Sequence, residues 1–143
     1  MFEHTHRIRV RYAETDQMGI VHHSRYALYL EEARTEAMRA IGIPYNELER
    51  VGIILPLVSM SNKFIASATY DDILEVKTII NKLPQVKFSI DYEIYCKDKL
   101  INSSNTTLAF VDKKSKKPKQ RTKVRLTFTY TNRYTNKDNL NIN

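Results

Sequence analysis

Between Arg25 and Ile41 the chain holds its one long stretch of three- and four-residue apolar spacing. Tyr26, Tyr29, Leu30, Ala33, Ala37 and Ile41 recur on one side, while Arg25, Glu31, Glu32, Arg34, Thr35, Glu36 and Arg39 take the other. That is the pattern of an amphipathic helix with a single buried stripe. Ser24 is positioned to cap its start, and Gly42 followed by Pro44 ends it. At 1.5 Å per residue the helix spans about 25 Å, the width of a small sheet.

Elsewhere the period is two. Arg7, Arg9 and Arg11 alternate with Ile8, Val10 and Tyr12, which predicts a strand with Ile8, Val10 and Tyr12 on its buried face. Lys87 to Tyr95 alternates most clearly, with Phe88, Ile90, Tyr92 and Ile94 facing one way. Runs at 57–68, 73–82, 101–112 and 122–131 are rich in Ile, Val, Thr, Phe and Tyr, and polar turns separate them. One helix among so many strands leaves a two-layer α+β fold, the helix covering one face of an antiparallel meander of five or six strands. Residues 1–131 read as a single domain and 132–143 as a polar, disordered tail. A lone helix cannot cover the sheet edges, so edge pairing of two copies, at least a homodimer, is expected.

The formal charge of +7 suggests a polyanion partner, but the excess is local. Residues 113–125 carry eight Lys and Arg; without them 15 basic residues stand against 16 acidic ones. Such a run suits a nucleic acid, a membrane surface or the phosphates of a nucleotide-like cofactor, and equally a solvated loop. Nucleic acid ranks last, because Tyr and Phe alternate with Thr or acids inside strands and do not interleave with basic residues as stacking platforms do. Cys96 is the only cysteine, which excludes an intramolecular disulfide and a cysteine zinc cluster. No window approaches the roughly twenty apolar residues of a membrane span, and the first residues have no apolar signal region. A cytoplasmic protein is expected.

Ahead of the helix, Tyr12 to Ala27 reads YAETDQMGIVHHSRYA. Taken singly, Asp16 in a Gly-containing loop suits a turn that bonds its own backbone, His22 and His23 suit capping or packing, and Glu14 suits the solvent side. Together they place Asp16 beside the free N–H groups and positive dipole end of a helix. A carboxylate next to an oxyanion-binding site fits acyl transfer, the donors polarising a carbonyl while the carboxylate attacks it or activates water.

The run from Tyr12 through Asp16, Gly19 and His23 to Tyr26, followed by Leu30-Glu-Glu-Ala-Arg34, resembles the signature of the 4-hydroxybenzoyl-CoA thioesterase family, and within it the small bacterial Tol-Pal-associated acyl-CoA thioesterases. Phe64 and Ala68-Thr-Tyr70-Asp-Asp72-Ile-Leu-Glu75-Val76 resemble a second patch of that family. The resemblance covers about residues 6–112 and implies a hotdog fold, a long helix wrapped by a curved antiparallel sheet, with active sites at a dimer interface and dimers pairing into tetramers. It implies Asp16 and His23 as catalytic residues, and Tyr12, Gly19, His22, Ser24 and Tyr26 around the substrate, with backbone N–H groups near 22–25 as oxyanion donors. It also implies an acyl-CoA substrate with no further cofactor, CoA being part of the substrate and a product. Acyl carrier protein is the alternative carrier, and the alternative function is a module that binds acyl groups or that carrier protein without catalysis. His22 stands where relatives often have Tyr, and residues 113–143 depart from the family's usual ending.

Overall fold

The computed structural model describes residues 1–82 and 84–119. The strand expected at 122–131, the tail 132–143 and the later part of the basic run lie outside these residues. The described chain begins with β1 (Phe2–Arg9), passes through a loop with two short 3-10 turns, and enters α1 (Tyr26–Ala40). A six-residue α2 (Tyr45–Arg50) follows. Then come β2 (Ile53–Ile54), β3 (Leu57–Phe64), β4 (Ile73–Ile80), β5 (Lys87–Cys96), β6 (Lys99–Ala109) and β7 (Val111–Asp112).

Five strands form one antiparallel sheet in the order β1-β4-β5-β6-β3, and β2 pairs with β7 in a separate ribbon. The layout is the α+β hotdog arrangement expected from the sequence, with α1 lying along one face of the sheet. The meander holds only for β4, β5 and β6. β3 pairs with β6 at the far edge instead of with β4, because residues 65–72 do not form a hairpin. Instead they cross towards the loop before α1, through the Ile20–Thr69 bridge and the bond from Val21 N–H to Ala68 O at 2.9 Å.

The core lies between α1 and the inner sheet face. Tyr29, Leu30, Ala33 and Ala37 from α1 meet Leu74, Val76 and Ile80 from β4 and Ile90, Tyr92 and Ile94 from β5, all buried. Ala33 and Ala37 let the helix backbone sit close to the sheet, so the helix layer is set by small side chains as much as by large ones.

Several local expectations need correction. β1 begins at Phe2, well before Arg7, since Phe2 and Ile8 both reach the core. Tyr12 is 78% exposed, because the chain leaves the strand after Arg9 and turns the side chain outward. Arg34 is buried instead of solvated: its Nε–H donates to the Tyr45 hydroxyl at 2.7 Å, and its guanidinium carbon lies 6.0 Å from the Tyr45 ring centre. That contact joins α1 to α2, an element whose six residues are too few to show a helical period.

Replacing Ala33, fully buried beneath α1, by Leu is expected to lift the helix from the sheet and cost about 1–3 kcal/mol. Urea denaturation of the two proteins checks this through the shift in midpoint.

Candidate active site

The site is built on the loop between β1 and α1, and the loop is fixed by a residue that sequence reasoning sent to solvent. Glu14 closes the 3-10 turn Tyr12–Glu14 and is only 4% exposed. Its Oε1 accepts the Arg11 backbone N–H at 2.7 Å and the Tyr29 hydroxyl at 3.1 Å, while Oε2 accepts from the Arg11 guanidinium at 3.2 Å. Its backbone carbonyl accepts the His22 N–H at 2.9 Å. One residue thus ties the end of β1, the entry to α1 and the second turn of α1. Burial alone would raise the Glu14 carboxyl, but the hydrogen bonds from Arg11 and Tyr29 together outweigh it and hold it below the ordinary glutamate value. The Arg11 side chain is 76% exposed, so solvent screens most of its ionic contribution, and the buried donors carry the effect. Burial, and then the same contact with Glu14, raises the Tyr29 hydroxyl.

Asp16 follows in a tight reversal. Its N–H bonds Ile20 O at 2.9 Å, and Gly19 N–H bonds Asp16 O at 3.0 Å. Gly19 has φ +76°, the left-handed region that other residues enter only at a cost; a Cβ there would meet nothing within 4 Å, so conformation and not space requires glycine. Asp16 Oδ1 accepts the Met18 N–H at 2.8 Å. The Asx turn weighed for this residue is therefore present, and it occupies one carboxylate oxygen. Oδ2 has no hydrogen-bond partner among the described residues.

The helix entry differs from the expected one. A 3-10 turn, His23–Arg25, precedes α1, and its cap is His22 and not Ser24. His22 Nδ1 accepts the Ser24 N–H at 3.2 Å and lies 2.8 Å from the Ser24 hydroxyl. Because a backbone N–H can only donate, Nδ1 must hold its lone pair, which assigns His22 the neutral Nε2–H tautomer. The N–H groups of His22, Ser24 and Arg25 are all engaged, the last with His22 O at 2.9 Å. For the His23 N–H the described residues supply no acceptor. The two imidazole rings lie 4.1 Å apart, His22 half-buried and His23 exposed.

Asp16, His23 and Tyr26 line one cleft of about 260 Å³. Met18, Ile20 and Val21 form its loop wall, and Phe64 to Ser67, at the end of β3, form its sheet wall. Tyr26 and Phe64 meet edge to face at 5.1 Å across it. Of the residues expected around the substrate, only Tyr26 lines this cleft. Gly19, His22 and Ser24 shape its loop and helix entry from behind, and Tyr12 lies outside, packed edge-on against Tyr70 at 5.7 Å. Phe64 to Ser67 were not foreseen as site residues, although Phe64 belongs to the second resemblance patch. A wider, open groove runs along Asn81 to Asp91, but both oxygens of Asp91 are already occupied, by Asn81 at 3.0 Å and Asn105 at 2.6 Å. It offers no convergent chemistry. Among the described residues no three His, Cys, Asp or Glu side chains gather as metal ligands, and no helix is long and apolar enough to cross a membrane.

With this geometry established, the chain was compared with known proteins. The thioesterase-like superfamily matches residues 10–125. YneP of Bacillus subtilis, provisionally named an acyl-CoA thioesterase, is 35% identical over 114 residues, 79% of this chain and 83% of that protein. The acyl-CoA thioester hydrolase YbgC of Escherichia coli is 28% identical over 113 residues, 78% of this chain and 84% of that protein. Among solved structures, a DHNA-CoA thioesterase from Staphylococcus aureus superposes with a TM-score of 0.87 at 29% identity, covering 99% of this chain and 94% of that one.

Because the folded-state pKa of Glu14 is depressed, its contribution to stability is present above the ordinary glutamate range, near 4.5, and is lost as pH falls through the folded value. Glu14→Gln is expected to cost about 1–3 kcal/mol at pH 7 and to flatten the acid limb of the stability curve below about pH 5. Urea titrations of both proteins from pH 3 to pH 8 measure it.

Proposed function

This chain belongs to the thioesterase-like superfamily, and we propose that it hydrolyses acyl-CoA thioesters to the free acid and CoA, with Asp16 as the catalytic carboxylate. The observation that carries the reading is the convergence of Asp16 on the same cleft as His23, with Asp16 Oδ2 and the His23 N–H both without a partner among the described residues. The names borne by YneP and YbgC supply the substrate class.

In this reading the thioester carbonyl enters between the loop and Phe64. Its oxygen accepts the His23 N–H, where the positive end of the helix dipole stabilises the charge that develops in the tetrahedral intermediate. Asp16 Oδ2 then either attacks the carbonyl carbon, giving a mixed anhydride that water opens, or takes a proton from the water that attacks. Both routes expel the CoA thiolate, and a thiolate, with a conjugate-acid pKa of about 8.5 in free cysteine, needs far less assistance to leave than an amine or alkoxide. The His23 imidazole orients the water or the carbonyl. Met18, Ile20 and Tyr26 enclose the first carbons of the acyl group.

The reading extends to assembly and location. Among the described residues β3 is an edge strand, on which Leu57, Val58, Met60 and Phe64 are 44–53% exposed. A second copy paired along that edge would satisfy its backbone and cover those side chains beside the cleft. The proposed state is a homodimer that pairs into a tetramer, in the cytoplasm, with Lys113, Lys114, Lys116 and Lys117 available to the phosphates of CoA or to an acyl carrier protein.

Thiol release from short, long and aromatic acyl-CoAs, measured for the wild type and Asp16→Asn together, tests the proposal. The variant is expected to remain folded and lose about 10²–10⁴-fold in kcat. Undiminished turnover by Asp16→Asn would remove Asp16 from the mechanism. A folded wild type that turns over no member of the panel would leave an acyl-binding module instead.

A further inference from the structure

We infer that Asn102, backed by Ser104, reads a hydroxyl group on the acyl moiety and so sets which thioesters this site prefers. The inference rests on the thioesterase reading above. It starts from polar side chains that the core does not need for packing: Thr78, Asn102, Ser104 and Thr106 are all buried on the inner faces of β4 and β6. Thr106 is satisfied by the Tyr92 hydroxyl at 2.9 Å. Asn102 is fully buried, and among the described residues its Nδ2 has no hydrogen-bond partner.

The register places Asn102 directly behind the cleft wall. It stands opposite Phe64 on β3 and Ile94 on β5, so the three side chains share one face in one cross-strand row. Phe64 is 53% exposed and lines the cleft against Tyr26, whereas Ile94 is fully buried. The neighbouring cleft residues Ile65 and Ala66 donate their N–H groups to Ile101 O at 2.9 and 3.1 Å. Asn102 is thus the buried polar residue paired across the sheet with Phe64, which lines the cleft.

Counting protons defines what it would bind. The Ser104 hydroxyl lies 2.6 Å from Asn62 Oδ1 and also in short contact with Asn102 Oδ1. It has one proton for two carbonyl oxygens, so one of the two amides must turn its NH₂ towards Ser104. If Asn62 turns, Asn102 keeps an unpaired donor; if Asn102 turns, it keeps an unpaired acceptor. A hydroxyl group both donates and accepts, and therefore satisfies Asn102 in either state. A plain hydrocarbon would leave a buried amide unpaired, which is what a site discriminates against most strongly.

Matched substrates differing by one hydroxyl test this: 4-hydroxybenzoyl-CoA against benzoyl-CoA, and 4-hydroxybutyryl-CoA against butyryl-CoA. The wild type is expected to prefer the hydroxylated member of at least one pair by about tenfold or more in kcat/KM. Asn102→Leu, close in shape, is expected to bring that ratio near unity by slowing the hydroxylated substrate, with the unhydroxylated one changed by less than about threefold. If Asn102→Leu does not fold, Ser104→Ala, which frees the Asn102 amide from its anchor, should lower the same ratio. Equal rates within both pairs for the wild type, or a ratio that survives Asn102→Leu, would overturn the inference and leave Asn102 as a core amide bound to a structural water. Wild-type protein inactive on all four thioesters would instead bring down the thioesterase reading itself.

Discussion

A carboxylate sealed beneath the loop between β1 and α1 organises the molecule. Glu14 could not be buried alone, since an unpaired charge in the interior costs several kcal/mol. It is held by a backbone N–H, a phenol and a mostly solvated guanidinium, a set that satisfies the charge without a buried ion pair. Two of these donors belong to Arg11, just after β1, and the third to Tyr29 on α1, so the carboxylate fixes strand, loop and helix relative to one another. Asp16 stands two residues downstream, and His22 hangs from the same residue's carbonyl. The geometry of the cleft is therefore inherited from a structural anion, and the Asp16 carboxylate is spared that duty.

This division of labour explains how two acids so close in sequence take different roles. Among the described residues the Glu14 carboxylate accepts three hydrogen bonds and is inaccessible. The Asp16 carboxylate accepts one, from Met18, and keeps its other oxygen towards the cleft. Gly19 allows the reversal that turns Asp16 back to the helix entry, where His22 uses its ring to cap the turn and leaves the His23 N–H available. The cleft wall opposite comes from the end of β3, an edge strand with exposed apolar side chains. The cleft thus sits beside the strand that ends the sheet among the described residues.

The layers of the fold could be read from the sequence because burial in a helix or strand leaves a period. α1 was expected at Arg25–Ile41 and spans Tyr26–Ala40; the strand centres from β3 to β6 fall inside the runs of β-formers. The parts that periodicity does not encode were missed. Strand order depends on where residues 65–72 cross, which no alternation records. Arg34 and Glu14 are charged residues buried by partners eleven and fifteen positions away, Tyr45 and Tyr29, so the pattern alone sends them to solvent. The spacing of Arg11 and Glu14, three apart at the start of a turn, was the one local sign of the capping interaction. Within the site, Asp16, His23 and Tyr26 were legible together because they lie on one short stretch, whereas Phe64 to Ser67 reach the cleft only through tertiary structure.

In the proposed mechanism one cleft presents Asp16 and the His23 N–H to the same thioester carbonyl. A crystal structure of the protein with a non-hydrolysable acyl-CoA analogue that keeps the carbonyl tests this. The carbonyl oxygen is expected within about 3 Å of the His23 N–H, and the carbonyl carbon about 3–3.5 Å from Asp16 Oδ2 or from a water held by it. An acyl group bound elsewhere, with its carbonyl distant from both, would contradict it.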